Sequence, residues 1–140
     1  MIWVIDSNIL ISALIRDSVT RKIIIESGWI FYYPEISFHE IRKHKNLIIE
    51  KSKMNEDEYS QILECLLKHI VLVPEEQFLH NLEEAKEILG KIDANDVVFL
   101  ASAMGINNSK IWSNDFHFQM QNKIKASKTE EIIKLFEGKN

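Results

Sequence analysis

The feature of the sequence that most restricts its fold is the alternation of short apolar runs with longer amphipathic segments. Ile2–Ile5 is a β-branched and aromatic run that predicts a buried strand. Apolar residues then recur at helical spacing at Ile9, Leu10, Ala13 and Leu14. A strand followed by a helix, without a hairpin signal, favours parallel pairing with helices on both faces of the sheet. The opening residues therefore predict an α/β fold.

The same alternation continues along the chain. We predict further strands at Trp29–Tyr33, Ile70–Pro74 and Lys110–Trp112, and a short fifth strand in "KIKA", Lys123–Ala126. The helices predicted between and after them are Val19–Ser27, one from Pro34 toward Ile49, one from Asn55 to Ile70, one from Phe78 to Gly90, Asp93–Met104, and one after a Ser127–Glu130 capping box. The predicted architecture is three layers, α/β/α, with four or five mainly parallel strands.

Composition favours one globular domain over residues 1–140. The chain is 46% hydrophobic and has only 4 Gly and 2 Pro, and no linker-like stretch divides it. A net charge of -4 argues against binding nucleic acid through overall positive charge, so any such contact must be local. The run "RKHK", Arg42–Lys45, is a candidate contact for a nucleic-acid backbone, although a solvated helix face is its ordinary explanation.

The sequence also bears on the compartment. Its single cysteine, Cys65, stands among leucines, which predicts a small core residue in a reducing compartment such as the cytoplasm. Asp6 and Asn8 interrupt the apolar N-terminus, so we expect no signal peptide. No apolar stretch reaches the roughly 18 residues of a membrane span, so no membrane association is expected.

Several carboxylates fall at element boundaries or on otherwise apolar surfaces. They are Asp6 in "VIDSN", Glu40 in "SFHEI", Asp93 and Asp96 in "DANDVVFLASA", and Asp115 in "IWSNDFHF". Asp6 follows the first strand as Asp115 follows the fourth, and ligands of parallel sheets bind beyond the carboxyl ends of the strands. We therefore expect these acids to share one crevice.

Converging carboxylates repel one another, and a divalent cation relieves that repulsion. Oxygen ligands select hard ions such as Mg²⁺ or Mn²⁺. Such an ion lowers the pKa of a bound water and holds a phosphodiester for in-line attack. The pattern thus indicates metal-dependent phosphodiester hydrolysis.

These motifs together resemble the PIN-domain nucleases, a family that includes the toxin nucleases of many toxin–antitoxin pairs. The resemblance spans most of the chain. It implies a Mg²⁺ or Mn²⁺ site that cuts RNA, with four ligands that are also the catalytic residues: Asp6, Glu40, Asp96 and Asp115. It also implies a homodimer and, for a toxin, a protein antitoxin as partner.

The resemblance suggests supporting residues as well. Asn8 matches a polar residue that supports the first Asp, and Ser113 or Asn114 is expected to do similar work near Asp115. Asp93 matches an extra acid found in some relatives, and whether it contacts metal stays open. His117 stands beside Asp115, where a contact to a phosphate is the functional alternative to a packing role.

Each acid also has an ordinary structural explanation. Asp6 or Ser7 suits a helix N-cap, and Glu40 suits an exposed ion pair with Lys43. Asp93 and Asp96 favour a helix dipole, and Asp115 suits a turn. Only their conjunction indicates a shared metal site.

Other activities fit less well. A phosphatase with an aspartate nucleophile requires a second Asp two residues after the first, where this chain has Asn8. A receiver domain requires a phosphoacceptor Asp after the third strand, which here ends in Val73-Pro74. The serious alternative is a catalytically weak PIN-like module that binds nucleic acid or assembles with other proteins.

Overall fold

The computed structural model describes residues 1–15, 18–90 and 94–138. Within these ranges one parallel sheet has the order β3-β2-β1-β4-β5. Its strands are β1 Ile2–Ile5, β2 Ile30–Pro34, β3 Ile70–Val73, β4 Ser109–Trp112 and β5 Ala126–Ser127. The predicted α/β class is confirmed, with five strands.

Helices cover both faces of this sheet. They are α1 Ser7–Leu14, α2 Val19–Glu26, α3 Phe38–Lys43, α4 Lys45–Ser52, α5 Glu56–Leu67, α6 Leu82–Leu89, α7 Ala94–Met104, α8 Phe116–Gln119 and α9 Thr129–Gly138. On one face α1, α2 and α5 pack together, with α9 against α2; elsewhere α6 packs on α7, which crosses β1, β2 and β4. Connections between parallel strands are right-handed. The chain moves from β1 toward β3 on one side of the sheet and from β4 toward β5 on the other, so the two groups of helices lie on opposite faces. The result is the predicted three-layer sandwich.

The order of the strands creates a crevice between β1 and β4. From β1 the chain proceeds outward to β2 and β3, whereas β4 and β5 extend on the other side. Ile5 is in register with Trp112, so the two strands end level with each other. Parallel sheets bind ligands at such a switch point, beyond the carboxyl ends of the strands. Residues that follow Ile5 and Trp112 are therefore placed to form a site.

The centre of the sheet is the driest part of the molecule. Trp3, Val4 and Ile5 of β1 are fully buried, as are Phe31 of β2 and Trp112 of β4. The rings of Phe31 and Trp112 lie 6.0 Å apart between their centroids and pack across β1. Burying large apolar side chains is the main stabilising term of folding, and here it fixes the two strands that end at the crevice.

The helix predicted from Pro34 toward Ile49 was wrong in two respects. Pro34 is the last residue of β2, where it pairs with Val73 of β3, and a 3₁₀ turn, Glu35–Ser37, precedes α3. The remaining helix breaks at His44, which separates α3 from α4. Nδ1 of His44 lies 2.8 Å from the Glu40 carbonyl oxygen, so its side chain competes for a helical acceptor.

The predicted helix over Phe78–Gly90 is shorter than expected. Two 3₁₀ turns, Glu75–Gln77 and Leu79–Asn81, precede α6. Phe78 is 1% exposed between these turns, so its burial sets the local chain direction. The first turn, Glu75–Gln77, lies close to Gly105, which follows α7. A Cβ on Gly105 would come within 2.5 Å of the Gln77 carbonyl oxygen, so a larger residue would not fit there without a shift.

Two smaller expectations also failed. Ser127 does not start the last helix with Glu130; it is buried in β5, and the Lys128 N–H instead bonds to Glu131. Cys65 is exposed, whereas we expected a core residue.

The predicted capping box of Asn55 and Glu58 is present at α5. None of the described helices is long and apolar enough to cross a membrane.

Candidate metal centre

Asp6 lies where β1 turns into α1. Its Oδ1 accepts a hydrogen bond of 2.9 Å from the Ile9 N–H, so Asp6 is the N-cap of α1. Its Oδ2 accepts a hydrogen bond from the Ser113 hydroxyl, which follows β4. The structural explanation of this acid is therefore correct, yet the residue also sits at the switch point. Capping holds the carboxylate at the mouth of the crevice.

The surroundings of Asp6 make its charge costly. Burial raises the pKa of Asp6 from 3.8 to about 6, against the lowering effect of the hydrogen bonds from Ser113 and Ile9. The negative charges of Asp115 and Glu40 raise it further. Three of the predicted ligands thus interact electrostatically within one crevice, and a bound cation would favour the ionised form of Asp6.

Glu40 reaches the crevice from α3, which follows β2. Its Oε1 accepts a hydrogen bond of 2.8 Å from the hydroxyl of Ser7, the residue next to Asp6. The exposed ion pair with Lys43 is not among the salt bridges of the described residues. The side chain of Glu40 therefore turns toward α1 and the site.

Ser113 connects two of the acids. Its hydroxyl donates to Asp6 and accepts a hydrogen bond of 3.0 Å from the Asp115 N–H. Asn114 has a different partner, because its Oδ1 accepts a hydrogen bond of 2.8 Å from the Thr129 N–H of α9. Asn8 is exposed, and in the described part of the chain Asp6 is hydrogen-bonded by Ser113 and Ile9 instead. Asp93 lies outside the described residues.

A second group of ligand atoms adjoins the first. One atom each of Asp96, Asp115 and His117 lie within 4.8 Å of one another. Nδ1 of His117 is 2.9 Å from Oδ1 of Asp115 and 3.9 Å from Oδ2 of Asp96. Asp115 belongs to this group and also acts electrostatically on Asp6, so it links the two sets of predicted residues.

The donor set fits a divalent cation. Adjacent ligand atoms of an octahedral ion with bonds of about 2.1 Å lie about 3 Å apart, which is close to the contact between His117 and Asp115. Nδ1 of His117 is buried and has no hydrogen bond of acceptable geometry among the described residues. Its lone pair is therefore available to bind a cation. In the sequence, the spacing Asp115-x-His117 is the pattern that could have indicated His117 as a ligand; from its position beside Asp115 we predicted a contact to a phosphate.

Residues 4–136 match the sequence family described as the PIN domain. The chain belongs to the PIN-domain family. No curated protein matches the chain significantly.

This PIN domain also resembles a solved structure. A chain in the crystal structure of VapBC2 from Rickettsia felis, bound to a DNA fragment from their promoter, aligns with a TM-score of 0.68. The alignment covers 91% of this chain and 98% of that chain, at 17% sequence identity. The likeness is therefore one of fold across nearly the whole of both chains.

Proposed function

We propose that this PIN domain is a Mg²⁺- or Mn²⁺-dependent endoribonuclease and the toxin of a toxin–antitoxin pair. The observation that supports the proposal is the group formed by Asp96, Asp115 and His117, together with the electrostatic effect of Asp115 and Glu40 on Asp6. Carboxylate oxygens gathered beside an imidazole nitrogen are suitable ligands for a hard divalent cation. Membership of the PIN family supports the same conclusion.

The chain's residues have distinct tasks in this proposal. A bound Mg²⁺ or Mn²⁺ supplies an activated water and charge stabilisation for phosphodiester hydrolysis. Asp96 and Asp115 offer carboxylate oxygens beside the nitrogen of His117. Asp6 and Glu40 offer further carboxylates, each already oriented by a serine hydroxyl. Because the ligands come from α3, α7 and the ends of β1 and β4, the folded sheet assembles the site.

The proposed partners are an RNA substrate, a protein antitoxin and a second copy of the chain. The antitoxin is supported by the fold shared with a chain of VapBC2, which was crystallised bound to a DNA fragment from its promoter. Such a protein would work in the cytoplasm, where its RNA substrate is found. Co-expression with a candidate antitoxin encoded by a neighbouring gene would test this part independently of the chemistry.

The central experiment incubates the purified chain with a mixed RNA pool and sequences the fragment ends. We expect cleavage with Mg²⁺ or Mn²⁺, and loss of cleavage with a chelator. Asp6→Asn and Asp96→Asn should each lower the rate at least about a hundredfold, since each removes a charge that holds the ion. Asp57→Asn is the matched control, because it makes the same change at an exposed acid in the first turn of α5.

The outcomes separate the nuclease from a catalytically weak binding module. Cleavage by Asp6→Asn at the wild-type rate would refute the site. A wild-type chain that binds RNA and Mn²⁺ but leaves every fragment intact would favour the weak module. Retained activity in Asp57→Asn together with loss in the two site variants would support the proposal.

A further inference from the structure

A buried chain of hydroxyl groups leads from the core to Glu40. The Ser7 hydroxyl donates to Oε1 of Glu40 at 2.8 Å and lies 2.6 Å from the Tyr33 hydroxyl. The Tyr33 hydroxyl also lies 2.9 Å from the carbonyl oxygen of Ser37, to which it can donate. Ser7, Tyr33 and Ser37 are at most 5% exposed. Contacts in series therefore connect Ser37 of the 3₁₀ turn, Tyr33 of β2 and Ser7 of α1 to the Glu40 carboxylate of α3.

Packing alone does not account for the two hydroxyl groups. The ring of Tyr33 packs against Phe38 and Phe99, with centroids 5.4 and 5.9 Å away, and a phenylalanine ring would make the same contacts. Burying a hydroxyl costs free energy unless it is hydrogen-bonded. Burial also raises the pKa of Tyr33 above its usual range, so this hydroxyl keeps its proton and remains a donor.

The direction of the chain suits an anionic end. The single Tyr33 hydroxyl proton can go either to the Ser37 carbonyl oxygen or to the Ser7 oxygen. In the second arrangement the Ser7 proton points at Glu40, and both O–H dipoles point toward the carboxylate. A glutamate side chain has several rotatable bonds, and ordering it as a ligand costs conformational entropy. A carboxylate accepts up to about four hydrogen bonds or metal contacts, so Ser7 leaves most of that capacity available.

We propose that Ser7 and Tyr33 are positioning residues that hold Glu40 ready to bind the metal ion. The inference rests on the proposed function, because it assigns Glu40 to the same metal centre. Ser7 is adjacent to Asp6, so its bond to Glu40 also sets the separation of two of the ligands. A hydroxyl that orients a ligand acts on metal affinity, whereas one that only fills the core acts on stability.

The test measures the Mn²⁺ dissociation constant by calorimetry on the full chain. Tyr33→Phe and Ser7→Ala should each weaken Mn²⁺ binding about tenfold, and Ser7→Thr, which keeps the hydroxyl, should restore most of the affinity. Tyr59→Phe is the matched control: Tyr59 is also buried, at 4% exposure, and its side chain lies on α5. Its affinity for Mn²⁺ should equal that of wild type.

A double variant identifies the residue through which Tyr33 acts. In a Glu40→Gln background, Tyr33→Phe should cause no further loss of Mn²⁺ affinity, since the group that it orients is already changed. Equal Mn²⁺ affinity of wild type, Tyr33→Phe and Ser7→Ala would overturn the positioning role and leave the proposed nuclease intact. A wild-type chain that binds no Mn²⁺ would overturn both.

Discussion

The buried carboxyl of Asp6 ties the stability of the metal-free protein to pH. Its pKa is raised from 3.8 to about 6, so the folded chain binds this proton more tightly than the unfolded chain. The resulting stabilisation is complete below pH 3.8 and is lost as the pH rises through about 6, a change of about 3 kcal/mol.

Asp6→Asn should therefore stabilise the metal-free protein at pH 7, by several degrees in melting temperature, while abolishing cleavage. The amide keeps the shape of the carboxyl without its buried charge. Thermal melts from pH 4 to 8 in a chelator would measure the effect, and the gap between the two proteins should widen as the pH rises. Parallel pH curves for the two proteins would contradict the prediction.

The nitrogen of His117 should influence which ion the site prefers. Imidazole ligands favour transition metals, whereas Mg²⁺ prefers sites made of oxygen atoms. Mn²⁺ should therefore raise the melting temperature more than an equal concentration of Mg²⁺, and His117→Asn should remove most of that difference. The exposed His69 offers the control, as His69→Asn should keep the wild-type preference. An unchanged preference in His117→Asn would exclude the histidine from the ligands.

At the level of elements, the loop that carries Asp115 is tied to the last helix. The Ser113 N–H donates to the Ser127 carbonyl oxygen of β5, and Asn114 accepts from the Thr129 N–H at the start of α9. The Trp112 indole also donates to the Thr129 hydroxyl at 3.0 Å. Asn114 thus satisfies one of the free N–H groups of a helix that begins 15 residues later.

Asn114→Ala should lower the free energy of unfolding by about 1 kcal/mol, because it removes a helix cap. Cleavage should also fall, since Asp115 is the next residue in the same loop. Chemical denaturation and the RNA assay would measure the two effects, with the exposed Asn107→Ala as control. Unchanged stability of Asn114→Ala would show that α9 does not depend on this contact.

The elements that the sequence did not predict depend on contacts that the spacing of apolar residues does not encode. His44 interrupts the helix after Lys43 because its ring binds a backbone carbonyl, which apolar spacing does not reveal. Ser127 has the composition of an N-cap, but pairing with β4 draws it into the sheet. Local preferences predicted α1 and the capped start of α5 correctly, because their caps lie within three residues of the partner.

Across the whole molecule, alternation of strand and helix was enough to predict the architecture. The acids at the ends of β1 and β4 were predictable as neighbours, since parallel strands bring their carboxyl ends to one edge. The hydroxyl chain from Tyr33 to Glu40 was not, because it joins residues 26 and 33 positions apart through a folded core. For the same reason, the sequence did not predict the hydrogen bond that Asn114 accepts from Thr129 of α9.

The exposed thiol of Cys65 gives the molecule a single chemical handle. It is the only cysteine in the sequence, and it lies on the exposed side of α5. A maleimide dye will therefore attach at one known point, with no engineered residue. Any antitoxin or second copy that covers this side of α5 will shield the thiol, so its labelling rate reports directly on what the chain has assembled with.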